Sequence, residues 1–397
     1  MTAQELANAL GSADREGAKV AIVGGGTLAG MGVPPVHPGV TISTLGLNRI
    51  VENAPSDLTV AVESGVTLRT LAHALAPHGT HVPFDAPRAA DATVGGTLAA
   101  GWLGPRRHLY GRPRDFLIGT TVVLADGTIA RAGGMVVKNV SGYDMSRLYV
   151  GSFGTLCVLV QANLKTIALP PQARVFLARL PEGTRSRAIA HMRSAAIAPA
   201  AAFWVSGFRG VVDGDDGAEG RMLILHEGSN ELLERATRDL RSVLGRAGVP
   251  ETRVLDTGAR ESFERVVDAY VSSIGERSIT YRLACDPGEA EAAFLGIGAL
   301  ADRFELRTDV IVDAMNGDAI VRVSDLDTYS LGAKIEMFDD ALHDAEPAAI
   351  VIAGDHPKRA LLRVWGELPP AFDRMRALKQ RFDPNGTLNP GRFVGGL

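Results

Sequence analysis

Residues 20–32 read VAIVGGGTLAGMG, an apolar run that breaks into a glycine cluster. Such a stretch marks a strand entering a loop whose glycines let backbone come close to a phosphate. Gly24, Gly26 and Ala29 even satisfy the relaxed fingerprint G-x-G-x-x-G/A, but that motif requires a helix directly after the loop. The next residues, GMGVPPVHPG, carry Pro34, Pro35 and Pro38. Proline removes amide donors and clashes inside a helix, so no long helix starts there. A Walker A loop is excluded as well, because no Lys-Ser or Lys-Thr pair follows the glycines. A glycine turn that holds no ligand stays open at this point.

The chain has 397 residues, enough for two or three domains. With 46% hydrophobic and 22% charged residues it reads as an ordinary globular protein. A net charge of −4 carries no polybasic signature for nucleic acid or anionic lipid. No apolar run reaches spanning length, and the first residues lack a basic region followed by an apolar one, so a cytoplasmic protein is expected. Cys157 and Cys285 suit buried apolar positions better than a disulfide framework or a thiolate metal site.

An opening helix, AQELANALGSADREG, precedes the strand KVAIVG. Short strands follow, with a turn at 54–57 and a helix at about 68–76. Residues 91–154 are dense in glycine, and ADG within DFLIGTTVVLADGTIARAG marks a hairpin. Beyond Pro170 and Pro171 the order is strand, helix, strand, strand, helix, and its first four elements recur from Ser278. That weak repeat predicts an antiparallel sheet covered by helices. The expected domains are 1–170, 171–345, and a C-terminal segment 346–397 that returns toward the first.

Four segments together resemble the flavoproteins named after vanillyl-alcohol oxidase and p-cresol methylhydroxylase, with their PCMH-type FAD domain. They are VGGGTLAGMG, DATVGGTLAAG, GYDMSRLYVGSFGTLCVLV and the ending FDPNGTLNPGRF. The resemblance implies an α+β protein: a two-subdomain FAD-binding fold followed by an α+β cap domain with an antiparallel sheet. It implies that the cofactor-binding residues are Gly24, Gly25, Gly26, Thr27, Leu28 and Gly30 in the first loop, and Thr93, Gly95, Gly96, Ala99 and Gly101 in the second. Tyr110, Lys138, Tyr143, Gly151, Gly154, Thr155 and Val158 complete the set. Both glycine loops are expected to give amide donors to the diphosphate, and a side chain at Gly25 or Gly95 to fill the space where backbone meets phosphate. Covalent members attach flavin through a His or Cys near these loops. Thr27 follows the first cluster here, which implies noncovalent FAD.

Within the family, VVKNVSGYDMSRLYVGSFGTL and GPRRHLYGRPRDFLIG are most similar to the FAD-binding subunit of the multisubunit glycolate oxidase. That likeness implies a catalytic flavoprotein partner, an iron–sulfur partner, a small 2-hydroxy acid as the substrate of the complex, and a location in the cytoplasm or at a membrane through partners. Catalytic relatives carry a His-rich metal motif where this chain has DAMNGDAIVRV, residues 313–323, without histidine. Asp313, Asn316 and Asp318 could serve a divalent ion, or the stretch is an Asn-Gly turn. The other departure is Phe153, where relatives often have Glu. Arg106 and Arg107 suit a surface basic loop, whereas His108 and Tyr110 beside them suit either that loop or a place near the flavin. Lys138 and Arg392 each have a surface reading and a ligand reading, and His73, His78 and His81 read as capping or solvated rather than as a metal cluster. No catalytic residue is assigned. A stand-alone FAD-dependent 2-hydroxy-acid dehydrogenase and a structural subunit without flavin are the competing readings.

Overall fold

The computed structural model describes residues 1–397 except 34–37, 136–142, 182, 196, 213–219, 250–251, 273–276, 287–288, 325–330, 347, 355–358 and 360. The chain divides into two compact units. One comprises Met1–Gly104, Gly111–Leu169 and Leu368–Leu397; the other comprises Pro105–Tyr110 and Pro170–Glu367.

The first unit opens with a helix, Ala3–Arg15, started by a capping box between Thr2 and Glu5. Leu6, Ala7, Leu10 and Ala13 recur at helical spacing, and that face is buried with Val20, Ile42, Val123, Val158 and Leu388. Among the described residues nine strands follow: β1 (Val20–Val23), β2 (Val40–Ser43), β3 (Ile50–Ala54), β4 (Thr59–Glu63), β5 (Thr80–His81), β6 (Leu117–Val123), β7 (Ile129–Gly133), β8 (Val158–Lys165) and β9 (Ile167–Ala168). The order β3-β4-β8-β6-β7 makes a five-stranded antiparallel sheet, and β5 pairs with β9. β1 and β2 pair in parallel, and among the described residues no helix lies between them. The C-terminal segment extends this pair. Val20 N donates to Thr387 O at 2.8 Å and Asn389 N donates to Val20 O at 2.9 Å, so Leu388 bridges Val20 in parallel.

The second unit carries β10 (Gln172–Arg179), β11 (Ala201–Ser206), β12 (Arg221–Gly228), β13 (Thr252–Leu255), β14 (Ser278–Ala284), β15 (Arg307–Asp313), β16 (Asp318–Ser324) and β17 (Ile350–Ala353). They form one antiparallel sheet in the order β13-β10-β12-β11-β15-β16-β14-β17. Read outward from the β11–β15 pair, the order is symmetric. Each half is a β-α-β-β-α-β unit with its third strand inserted between the first and second. The repeat seen in the sequence is therefore a duplicated split βαβ, whose fourth strands, β13 and β17, the repeat had not included.

Two domain expectations are corrected. The segment expected to leave the cap domain at 346 leaves it only at 368, because β17 pairs with β14 inside the second sheet. Residues 105–110, expected within the FAD domain, belong to the second unit.

Candidate flavin site

In the first unit a cleft is lined by Ile22, Gly24, Thr44, Ser64, Gly95, Gly96, Ala99, Phe153, Gly154, Cys157, Val158, Leu159 and Asn389. It joins the end of β1, the second glycine loop, the loop before β8 and the C-terminal segment. Of the expected cofactor residues it brings together Gly24, Gly95, Gly96, Ala99, Gly154 and Val158.

The amides of Gly25, Gly26, Thr27 and Leu28 follow β1 directly, and none has a hydrogen-bond partner among the described residues. Gly26 has φ +70°, and its Cβ position faces open space. Successive unpaired N–H groups around such a turn make a concavity for an anion. This donor set fits a dinucleotide diphosphate. Thr27 and Leu28 are buried.

The second loop behaves differently from expectation. Thr93 caps the helix Val94–Ala100 through its hydroxyl, which accepts from Gly96 N at 3.1 Å. Val94 N donates to Val66 O, Gly95 N to Ser64 O and Thr97 N to Thr93 O. All four amides are thus engaged within the protein, so this loop buttresses the first one instead of offering donors to phosphate. The glycine expectation changes with it. A Cβ on Gly25 would lie 1.8 Å from Asp91 O, and one on Gly95 would lie 2.6 Å from Ser64 Cβ. These glycines are required by the contact of chain with chain, not by a phosphate in that space.

The remaining expected residues scatter. Gly101 and Gly151 pack on each other, with Gly151 N donating to Leu98 O. The Thr155 hydroxyl donates to Ser152 O. Gly30 continues the first loop outside the cleft lining. Tyr143 is 93% exposed and is not among the residues lining the cleft, and Lys138 lies outside the described residues. Tyr110 belongs to the second unit, where its hydroxyl donates to Glu227. Ile22, Thr44, Ser64, Cys157, Leu159 and Asn389 line the cleft without having been foreseen. Phe153, noted only for replacing Glu, stacks on Phe393 at 5.4 Å with φ +54°.

In the second unit, Arg106 and Arg107 are not a surface basic loop. Arg106 pairs with Glu227 at 3.0 Å and lies over the Tyr110 and Phe263 rings. Burial opposes ionisation of Glu227, but Arg106 and the Tyr110 hydroxyl hold its carboxyl below the usual range. Arg107 reaches Asp318 at 2.7 Å and Asp313 at 3.6 Å, and Arg282 also holds Asp318. Asn316 Nδ2 donates to Asp313 and to Pro105 O, both at 2.7 Å. The hairpin that the sequence aligned with a metal motif is therefore a turn whose carboxylates face two guanidinium groups.

Burial pushes the Asp313 carboxyl up to about 7, against the pull of Arg107 and Asn316. In the unfolded chain it ionises near about 3.9. Its raised value means that the stability it contributes is full below about pH 4 and is lost as pH rises through about 7. Asp313→Asn should therefore flatten the fall in melting temperature between about pH 5 and about pH 8. A profile as steep as the wild type's would show that Asp313 does not titrate in this window.

A five-stranded sheet flanked by two interlocked glycine loops, with a row of unpaired amides at the end of a strand, is shared with the PCMH-type fold. Residues 1–133 match the FAD binding domain family, and the chain carries that domain. Among solved structures it is similar to p-cresol methylhydroxylase with substrate bound, at TM-score 0.73 and 15% identity, covering 98% of this chain and 87% of that one. An alkyldihydroxyacetonephosphate synthase gives TM-score 0.70 at 15% identity, covering 98% and 74%. Curated relatives include the glycolate oxidase subunit GlcD of Bacillus subtilis, 26% identical over 93% of this chain and 82% of that protein. The glycolate oxidase subunit GlcE of Escherichia coli is 36% identical over 42% of this chain and 47% of its own length. A D-lactate dehydrogenase of Archaeoglobus fulgidus is 29% identical over 98% and 89%.

Proposed function

We propose that this chain is the FAD-binding subunit of a glycolate-type 2-hydroxy-acid oxidase or dehydrogenase complex, holding FAD noncovalently and exchanging electrons with a catalytic flavoprotein and an iron–sulfur subunit. The observation that carries this reading is the 313–318 turn. Oxidising a 2-hydroxy acid needs a base for the hydroxyl and a cation for the carboxylate. In this turn both carboxylates are already matched by Arg107 and Arg282, with Asn316 closing over Asp313.

The amides of residues 25–28 would hold the diphosphate, and bound FAD supplies the redox chemistry. Three features support a noncovalent link. Thr27 occupies the position after the first glycine cluster, and it is buried. His108 Nε2 lies 2.6 Å from Pro199 O within the second unit. Cys157 lines the cleft, but burial pushes its thiol well above the usual range, and the thiolate is the attacking form. The purified protein is expected to be yellow with one FAD per chain, released into the supernatant by acid precipitation. Colour retained in the pellet would show a covalent bond.

The length of the match to a D-lactate dehydrogenase favours a second reading, a stand-alone FAD-dependent 2-hydroxy-acid dehydrogenase. Glycolate- and D-lactate-dependent dye reduction separates the two. The isolated, flavin-loaded chain should be nearly inactive, and the co-purified complex active. Equal turnover by the isolated chain would establish the stand-alone enzyme.

A further inference from the structure

Asn389 is 2% exposed, lines the flavin cleft and has φ +42°. Asn is one of the few side chains that tolerate this left-handed region. Both ends of its amide are committed. Oδ1 accepts from Ile22 N at 2.8 Å, and Nδ2 donates to Phe153 O at 2.7 Å. Ile22 lies in β1, two residues before the glycine cluster that carries the unpaired amides, and Phe153 belongs to the loop that forms another wall of the cleft. A Cβ on Gly154 would come within 2.7 Å of Asn389 Nδ2, so the loop has no slack around this contact. The main chain of Asn389 adds a third tie, to Val20 O.

The geometry points to Asn389 as a positioning residue for the flavin: it ties β1, and with it the phosphate loop, to the 152–157 loop across the cleft. The C-terminal segment is then a working wall of the cofactor site. This inference rests on the proposal that the cleft holds FAD. Asn389 acts through the two walls it joins. Preorganised donors bind better than donors that must be ordered by the ligand, because the ordering cost is already met.

The test uses the full chain, stripped of flavin, with Asn389→Gly and Asn389→Asp. Glycine keeps the left-handed backbone and removes both amide contacts; aspartate keeps an acceptor for Ile22 N but loses the donor to Phe153 O. Two quantities are read: the dissociation constant for FAD by quenching of flavin fluorescence, and hydrogen exchange at the Ile22 amide without flavin. Asn389→Gly should weaken FAD by about tenfold or more, the loss of two buried hydrogen bonds, and should deprotect Ile22 by more than the accompanying fall in global stability accounts for, while core amides of the second unit keep their protection. Asn389→Asp should keep Ile22 protected yet still weaken FAD. Binding within about twofold of wild type in either variant overturns the role of Asn389. Unchanged Ile22 protection in Asn389→Gly does so as well. A wild-type chain that binds no FAD overturns the cofactor reading itself and this inference with it, which separates the two failures.

Discussion

Arg107→Met is expected to destabilise the protein by about 3–5 kcal/mol at about pH 8, the range for removing one partner from a buried ion pair. Arg107 is nearly buried, and its removal leaves Asp313 and Asp318 facing each other with Arg282 as the remaining cation on Asp318. The loss should shrink at about pH 5, because Asp313, already pushed up to about 7, takes up a proton there. Adding Asp313→Asn should recover much of the stability, since the uncompensated charge is then gone. Urea unfolding of the single and double variants reads the effect. A single variant within about 1 kcal/mol of wild type would mean the pair is no stronger than a surface salt bridge.

Gly25→Ala should empty the flavin site. The added methyl would sit 1.8 Å from the Asp91 carbonyl oxygen, a separation no rotamer relieves, so the two glycine loops must part. Overpacking of this kind costs about 1–3 kcal/mol of stability before any ligand is considered. FAD affinity should fall about 100-fold or more as the row of amides loses its support. The stability loss must appear in the flavin-free protein, because the clash is between two parts of the chain. The visible absorption of the purified variant and its apo melting curve test both statements. A variant as stable as wild type without flavin, failing only to bind it, would restore the simpler view that the phosphate itself occupies the space beside Gly25.

The first loop was legible because its signals are local. Three prolines forbid the helix that a Rossmann unit needs, and GGG after an apolar run marks where the strand ends and the turn begins. The second loop was legible as a loop but not in its role, since only the fold shows Gly95 N turned to Ser64 O. Arg106 and Arg107 were misread for the same reason. The partners that bury them, Glu227 and Asp318, lie 121 and 211 residues away, and nothing beside an Arg pair announces a distant acid. Ser64 and Thr44 sit at or beside strand ends with no pattern to mark them. Asn389 stood within a recognised motif, yet its function depends on a strand 367 residues earlier. In the second unit the long strands and helices carried clear periodicity. The short edge strands β13 and β17, with four residues each, were lost among the turns that precede them.

The separation between β1 and Leu388 has a consequence for how the protein is born. Every described strand of the second sheet lies between Pro170 and Glu367, so that unit holds nearly all its own contacts before residues 368–397 have been synthesised. The cofactor unit must instead wait with β1 incomplete, its edge unpaired at Val20, until the tail emerges. Domains generally fold as units during synthesis, and here the order is inverted: the unit begun first is finished last. Nascent chains stalled before residue 382 are expected to resist protease over the second unit and to carry no flavin, while chains extended well past Asn389 are expected to take flavin up.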